Sequence, residues 1–216
     1  ELNPVYDRKN HYYSYDSGLR RDTRLEKLAS LKPFFDKSFG LVTAGNSSQV
    51  TDGAAFLVLA SEKAVQQYQL PVLARIVDVV WAGVEPSEMG LGPVHAVSIL
   101  LKKQQLAFNR IDFWEINEAF AGQVLACLAA WQDIDYCKTQ LGVSEILGQL
   151  NPAILNIDGG AIAMGHPVGA SGARIVLHLA HVLKRKQARF GIATLCIGGG
   201  QGGALLLEHV DKAGVV

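Results

Sequence analysis

Hydrophobic and polar positions along the chain fall into a regular order only beyond residue 40. Residues 1–40 are polar and aromatic, with tyrosines at 6, 12, 13 and 15. Periodicity there is slight until Leu25, Leu28 and Leu31, which mark a short helix stopped by Pro33. On its own this stretch reads as a tail or an inter-domain arm. Leu41-Val42-Thr43 is strand-like, and residues 44–52 are small and polar. Residues 53–60 then form an unbroken apolar run of the kind that a strand buried on both faces requires. Ser61 is placed to N-cap the helix that follows. The polar loop between the two strand-like runs is either a plain hairpin turn or, through Asn46, Ser47, Ser48 and Thr51, a set of hydrogen-bonding groups for an elongated polar ligand.

From residue 73 the alternation is sustained. Residues 73–84 are rich in valine and isoleucine and predict a strand, and the glycines and prolines of 83–93 predict a loop. Pro93 suits the first turn of a helix whose Val94, Val97, Leu100 and Leu101 share a face. Residues 111–116 predict a strand, 120–131 a helix, and 132–150 a polar connection with helical pieces. Residues 153–157 predict a further strand. Residues 170–186 form a helix with Ile175, Leu179, Val182 and Leu183 on one stripe, and 190–196 and 203–207 are two closing strands. Strands alternating with helices, then a glycine-linked pair, define an α/β layered domain with a mixed five-stranded sheet covered by helices.

Length and composition narrow the class. At 216 residues the chain holds one generous core or two small ones. The formal net charge is zero with no long basic run, so neither nucleic acid nor an anionic membrane is favoured as partner. The one basic cluster, Lys184-Arg185-Lys186, reads as the end of a helix answering its dipole. No apolar run reaches the ~18 residues of a membrane span, and the first residues do not form a signal peptide. Three cysteines without disulfide-like spacing point to free thiols and a reducing compartment, the cytoplasm or an organelle whose targeting segment lies outside this sequence. Cys127, in an apolar helix, and Cys137, in a polar connection, read as structural.

The candidate chemistry sits in three short stretches. His166 stands between Gly165 and Pro167 ahead of a helix. Glycine leaves its ring accessible, proline stiffens the turn, and an imidazole exchanges protons near neutrality. Glycines at 159, 160, 165, 169 and 172 permit close approach of backbone to a ligand. Cys196 ends a strand-like run and enters Gly198-Gly199-Gly200, whose backbone N–H groups can face an oxyanion. Read alone, His166 is as compatible with a structural role as with catalysis, and Cys196 with a small hydrophobe at a strand end. Asn117-Glu118-Ala119-Phe120 places polar groups at the end of the 111–116 strand. No CxxC or HxxxH spacing supplies a metal site, and Gly198–Gly203 is neither a Walker loop nor a dinucleotide loop.

Together, Asn117-Glu118-Ala119-Phe120, the glycine-rich run around Gly165-His166-Pro167, and Cys196-Ile197-Gly198-Gly199-Gly200 resemble three signature blocks of the thiolases, in order. Thr43-Ala44-Gly45-Asn46-Ser47-Ser48 with Asp52-Gly53-Ala54-Ala55 resembles a fourth. The resemblance implies a thiolase-like layered fold and acyltransferase chemistry on acyl-coenzyme A, as used in fatty acid metabolism: thiolytic cleavage of a 3-ketoacyl-CoA or its reverse, Claisen condensation with acetyl-CoA. It implies that His166 activates a nucleophilic cysteine and helps stabilise an enolate oxygen. It further implies that Cys196 moves the α-proton, Asn117 holds a water in one oxyanion hole, and the Gly198 N–H contributes to a second. Ser48 matches a serine touching the pantetheine arm, and Ala119 with Phe120 lines that pocket. Coenzyme A enters as part of the substrate, no cofactor is bound covalently, and the full enzyme is a homodimer or tetramer.

One departure from the pattern stands out. The acylated cysteine of thiolases lies in an N-terminal block with no match here. The chain is therefore expected to comprise the end of a thiolase N-terminal domain, residues 1–68, and a C-terminal domain, residues 69–216. Without its missing N-terminal half it is expected to be inactive. Ketoacyl synthases share the fold but place a histidine where Cys196 stands. A non-catalytic acyl-CoA or lipid-binding module is the alternative from a different class.

Overall fold

The computed structural model describes residues 3–210. The arm, taken as residues 3–68 and so including the stretch that follows residue 40, holds a small hairpin, β1 (Val5–Tyr6) with β2 (Tyr12–Tyr13), and two short helices, α1 (Leu25–Ala29) and α2 (Glu62–Tyr68). Asp7 closes the hairpin by accepting from the backbone N–H groups of Lys9 and His11. Helix α2 starts where the Ser61 hydroxyl accepts from the Ala64 N–H, as its sequence predicts.

Beyond residue 70 the chain builds one mixed sheet from β3 (Ala74–Gly83), β4 (Phe113–Ile116), β5 (Phe190–Ile197) and β6 (Gln201–His209), in the order β3-β6-β5-β4. Helices α3 (Gly92–Gln104) and α4 (Ala121–Gln132) belong to one face, and α7 (Ser171–Lys186) packs on the other. Two small helices, α5 (Ile134–Tyr136) and α6 (Ala161–Met164), lie in the connections. Strand β4 runs parallel to β5, and β6 antiparallel to both β5 and β3. Helices on both faces explain why β5 is an almost continuous buried run.

Helices α3 and α7 present the stripes that their sequences predict, whereas α1, with Leu25 and Leu28, buries no side chain. Val94, Val97, Leu100 and Leu101 of α3 are buried together with Trp114 and Trp131. The rings of Phe108 and Trp114 stack at 4.7 Å. On the other face Ile175, Leu179 and Leu183 of α7 meet Ala193 and Leu207. Full burial of each such side chain contributes about 1.5–3 kcal/mol. Lys184, Arg185 and Lys186 occupy the last turn of α7, where cations oppose the helix dipole.

Three expected strands are absent. The sheet has four strands, not five, because residues 153–157 do not form one. Pro152–Ile154 is a 3-10 turn that begins with a proline, and Asn156 adopts a left-handed φ of 45°. Only Leu155 bridges Trp114, and the Asn156 side chain completes the edge by accepting from Ile116 N and donating to Ile116 O. Residues 41–43 and 53–60 also lack strand structure, since among the described residues no strand lies beside them. The apolar run 53–60 therefore stands open, with Phe56, Val58 and Leu59 exposed.

Candidate active site

The site grows from the carboxyl ends of the two parallel strands. Beyond Ile116 the chain stays paired with β5, as the Asn117 N–H donates to the Thr194 carbonyl at 3.0 Å. Asn117 is 1% exposed, and its Oδ1 is buried without a hydrogen-bond partner. Cys196 lies on β5 two residues beyond Thr194, opposite Gly202 of β6, so Asn117 and Cys196 finish neighbouring strands. Burial pushes the Cys196 thiol above its ordinary pKa and favours the neutral thiol.

Glu118 anchors the turn after Asn117. Its carboxylate accepts from Asn156 Nδ2 at 2.9 Å and from the Ile162 N–H at 3.1 Å. A side chain on Gly160 would collide with this carboxylate, so the second glycine of Gly159-Gly160 makes room for it. The 156–162 loop and the start of α6 are thereby fixed beside β4, which places the next turn, Gly165 to Ala170, over the same strand end.

In that turn Gly165 has φ +98°, and a Cβ there would approach Thr51 to 2.4 Å. The His166 N–H donates to Gln49 O at 2.8 Å. The imidazole contacts Ser171 Oγ through Nδ1 at 2.6 Å and Asn117 Nδ2 through Nε2 at 3.5 Å. Burial, and secondly the Arg174 guanidinium, lower the His166 pKa, so the ring is neutral at pH 7.

Ser48, Ala119 and Phe120 also come together. Ser48 donates to the Ala119 carbonyl twice, from its N–H at 3.0 Å and its hydroxyl at 3.2 Å. Ser47 bridges Phe120, whose ring meets that of Phe35 edge-on. A groove of about 400 Å³ lies between residues 51–56 and 167–170. Another of about 440 Å³, lined by Leu101, Phe108 and Ile146, lies near the beginning of β4, away from these groups.

Gly198 sits in the turn from β5 to β6, where Gly199 and Gly200 both have φ +86°. The Gly200 carbonyl accepts from Val84 N at 2.8 Å, and no room exists for a Cβ on Gly200. The other two thiols are buried: Cys127 donates to Gly90 O and its pKa is pushed up to about 12 by desolvation, and Cys137 points at the Ala130 and Trp131 carbonyls. Among the described residues no three His, Cys, Asp or Glu side chains group as metal ligands, and no helix is long and apolar enough to cross a membrane. Sequence reasoning assigned no role to Ser171, Glu118 or Gln49. Ser171 carried the one available signal, since a serine opening a helix five residues after a histidine can reach its ring.

The architecture is a layered α/β protein with a carboxamide and a thiol at the ends of adjacent parallel strands and an imidazole over the first. The chain belongs to the thiolase family: the model of the thiolase C-terminal domain matches residues 70–209, and that of the N-terminal domain matches residues 3–63. It is 44% identical over 200 residues to the 3-ketoacyl-CoA thiolase of Citrobacter koseri, an alignment covering 93% of this chain and 48% of that protein. The 3-ketoacyl-CoA thiolase of an Enterobacter species is 44% identical over 198 residues, or 92% and 48% of the two chains. Among solved structures, Bacillus anthracis acetyl-CoA acetyltransferase matches with a TM-score of 0.81 and 42% identity, over 97% of this chain and 49% of that one. Human mitochondrial 3-ketoacyl-CoA thiolase, also known in complex with CoA, matches with a TM-score of 0.77 and 39% identity, over 96% and 48%. The chain thus spans about half the length of the curated relatives it matches.

Proposed function

We propose that this chain supplies the proton-handling half of a 3-ketoacyl-CoA thiolase site, completed by an N-terminal half that brings the nucleophilic cysteine. The observation that supports this best is the approach of His166 Nε2 to Asn117 at 3.5 Å, at a strand end that Cys196 shares from the neighbouring strand. In thiolysis His166 takes the proton of the nucleophilic cysteine that the N-terminal half brings, and the sulfur of that cysteine attacks the 3-keto carbon. The Cα–Cβ bond breaks, its electrons form the enolate of acetyl-CoA, and the Cys196 thiol protonates the α-carbon. The acyl group stays on the nucleophilic cysteine as a thioester until the CoA thiol, giving its proton to the Cys196 thiolate, displaces it, and the protonated His166 returns its proton to the freed cysteine. A thiol held neutral by burial suits the protonation of the α-carbon. Asn117, through a water, and the Gly198 N–H take the charge developing on the two carbonyl oxygens. Ser48, Ala119 and Phe120 line the pantetheine channel. Coenzyme A takes part only as substrate, residues 1–68 are the end of the N-terminal domain, and residues 69–216 are the C-terminal domain.

In this reading the complete enzyme is a cytoplasmic homodimer or tetramer, and the chain alone has no thiolysis activity. The test is an absorbance assay with acetoacetyl-CoA and CoA, run on the purified chain with and without a separately expressed thiolase N-terminal half. Turnover only in the mixture, abolished by His166→Ala or Cys196→Ala, is expected. Normal turnover by the chain alone, or none in a mixture shown to associate, overturns it.

A further inference from the structure

The imidazole of His166 touches the side chains of Ser171 and Asn117, and the hydrogen bond that Ser171 makes elsewhere determines which ring nitrogen is bare. Ser171 opens α7 and is fully buried at 0% exposure. Its hydroxyl lies 2.6 Å from His166 Nδ1 and 3.2 Å from the Pro167 carbonyl oxygen. It has one proton and two neighbours within reach. If the proton went to Nδ1, the Oγ lone pairs would face those of the Pro167 carbonyl, which also accepts from the Ala170 and Ser171 N–H groups at 2.8 and 2.9 Å, leaving two acceptors opposed at a fully buried position. If the proton goes to Pro167 O, every contact is donor to acceptor: Ser171 O–H to Pro167 O, and His166 Nδ1–H to Ser171 Oγ.

We propose that Ser171 is a positioning residue that fixes His166 as the Nδ1–H tautomer, with the Nε2 lone pair directed at the site, and through it fixes the orientation of the Asn117 amide. A carbonyl oxygen can only accept, so the chain of bonds starting at Pro167 has a single sense. It reaches Nε2 as a lone pair, which demands that Asn117 turn its NH₂ toward the ring at 3.5 Å. The Asn117 Oδ1 is then the group left buried and unpartnered, an acceptor for a donor such as water. The same lone pair is what a base needs to take a thiol proton, so the inference deepens the thiolase reading and rests on it only for its catalytic meaning. The depressed pKa of the ring keeps the tautomer defined at neutral pH.

The test is independent of turnover. Two-bond ¹⁵N–¹H correlation spectra of the ¹⁵N-histidine-labelled chain at pH 7.5 identify the protonated ring nitrogen, with His166→Gln assigning the signals. The expected result is Nδ1–H in roughly three- to tenfold excess, the bias of one ordinary hydrogen bond, reduced or reversed in Ser171→Ala and restored in Ser171→Thr. A predominant Nε2–H form in the unaltered chain, or the same ratio in Ser171→Ala, overturns the proposal. The measurement on the unaltered chain decides by itself should a variant fail to fold. With the N-terminal half added, Ser171→Ala is expected to lower kcat about as much as it lowers the Nδ1–H fraction while leaving KM for acetoacetyl-CoA unchanged. A correct tautomer in an assembled but inactive enzyme would sink the functional reading and leave this inference standing.

Discussion

Trp114 and Trp131 in the layered region are 1% and 0% exposed, whereas Phe56 and Val58 in the arm are 84% and 92% exposed. The exposed pair is the more apolar, since tryptophan carries an indole N–H, and the difference lies in what surrounds them. The layered region closes its own cores, with α3 and α4 on one face of the sheet and α7 on the other. The arm instead carries a run of strand-forming residues with no neighbouring strand to complete it. Apolar sequence states a demand for burial, and the rest of the chain determines whether the demand is met.

Hydrogen exchange gives the widest separation between the two regions. Amides of 53–60, outside any strand, are expected to exchange faster than those of Ile192 to Thr194 in β5 by a factor on the order of 10³ or more, since local opening ranges from nearly free to global. Adding a thiolase N-terminal half should slow exchange at 53–60 and leave β5 unchanged. Strong protection of 53–60 in the chain alone would show that the arm packs in a way this structure lacks.

Next in size is a pair of truncations followed by urea unfolding. Leu179→Ala, from the fully buried stripe of α7, is expected to cost about 2–5 kcal/mol through lost burial and a residual cavity. Phe56→Ala is expected to change stability by no more than about 0.5 kcal/mol, as at other exposed sites. Equal costs would erase the distinction between the regions.

Legibility in the sequence follows the same division. Helix α3 was readable because Pro93, Val94, Val97, Leu100 and Leu101 combine an N-terminal signal with a 3.6-residue period, and the environment of that stripe lies within the chain. The run 53–60 was equally readable as apolar, but its pattern describes a two-sided environment that this chain does not supply. The fifth strand failed for a different reason: Asn156 uses its side-chain amide to do what a strand backbone would do, and periodicity cannot reveal that. At the site, Gly165-His166-Pro167 drew attention because each residue type has a chemical or conformational reason to be there. Ser171 did not, since its meaning depends on the turn that brings Oγ to the imidazole.

Besides the contacts of Ser47 and Ser48 with Phe120 and Ala119, the two regions meet at the His166 N–H bond to Gln49 and at the close passage of Gly165 by Thr51. Gly165→Ala would force an L side chain into positive φ and against Thr51, at a cost of about 1–3 kcal/mol. The change should loosen residues 46–53 more than the sheet, seen as faster exchange there with β5 unaffected. An uncompensated loss spread through the sheet would mean that the seam also supports the layered core.

The smallest expected effect is the pH dependence carried by the same residue. Burial first and Arg174 second depress the His166 pKa below its ordinary 6.5. Between the depressed value and 6.5 the unfolded chain binds more protons at this position than the folded one, so stability rises with pH across that window. The contribution is complete above about 6.5 and is lost as the pH falls through the folded value. His95, also depressed by burial, acts in the same direction, so the effect of His166 must be isolated by difference. Urea unfolding of the unaltered chain and of His166→Gln at several pH values from neutral to mildly acidic should show a shallower acid-side decline in the variant. Arg174→Gln should raise the His166 titration midpoint in NMR by removing the guanidinium's share and leaving that of burial. An unchanged midpoint would assign the depression to burial alone, and identical pH profiles in the two chains would mean that the ring is solvated as freely as the exposed arm beside it.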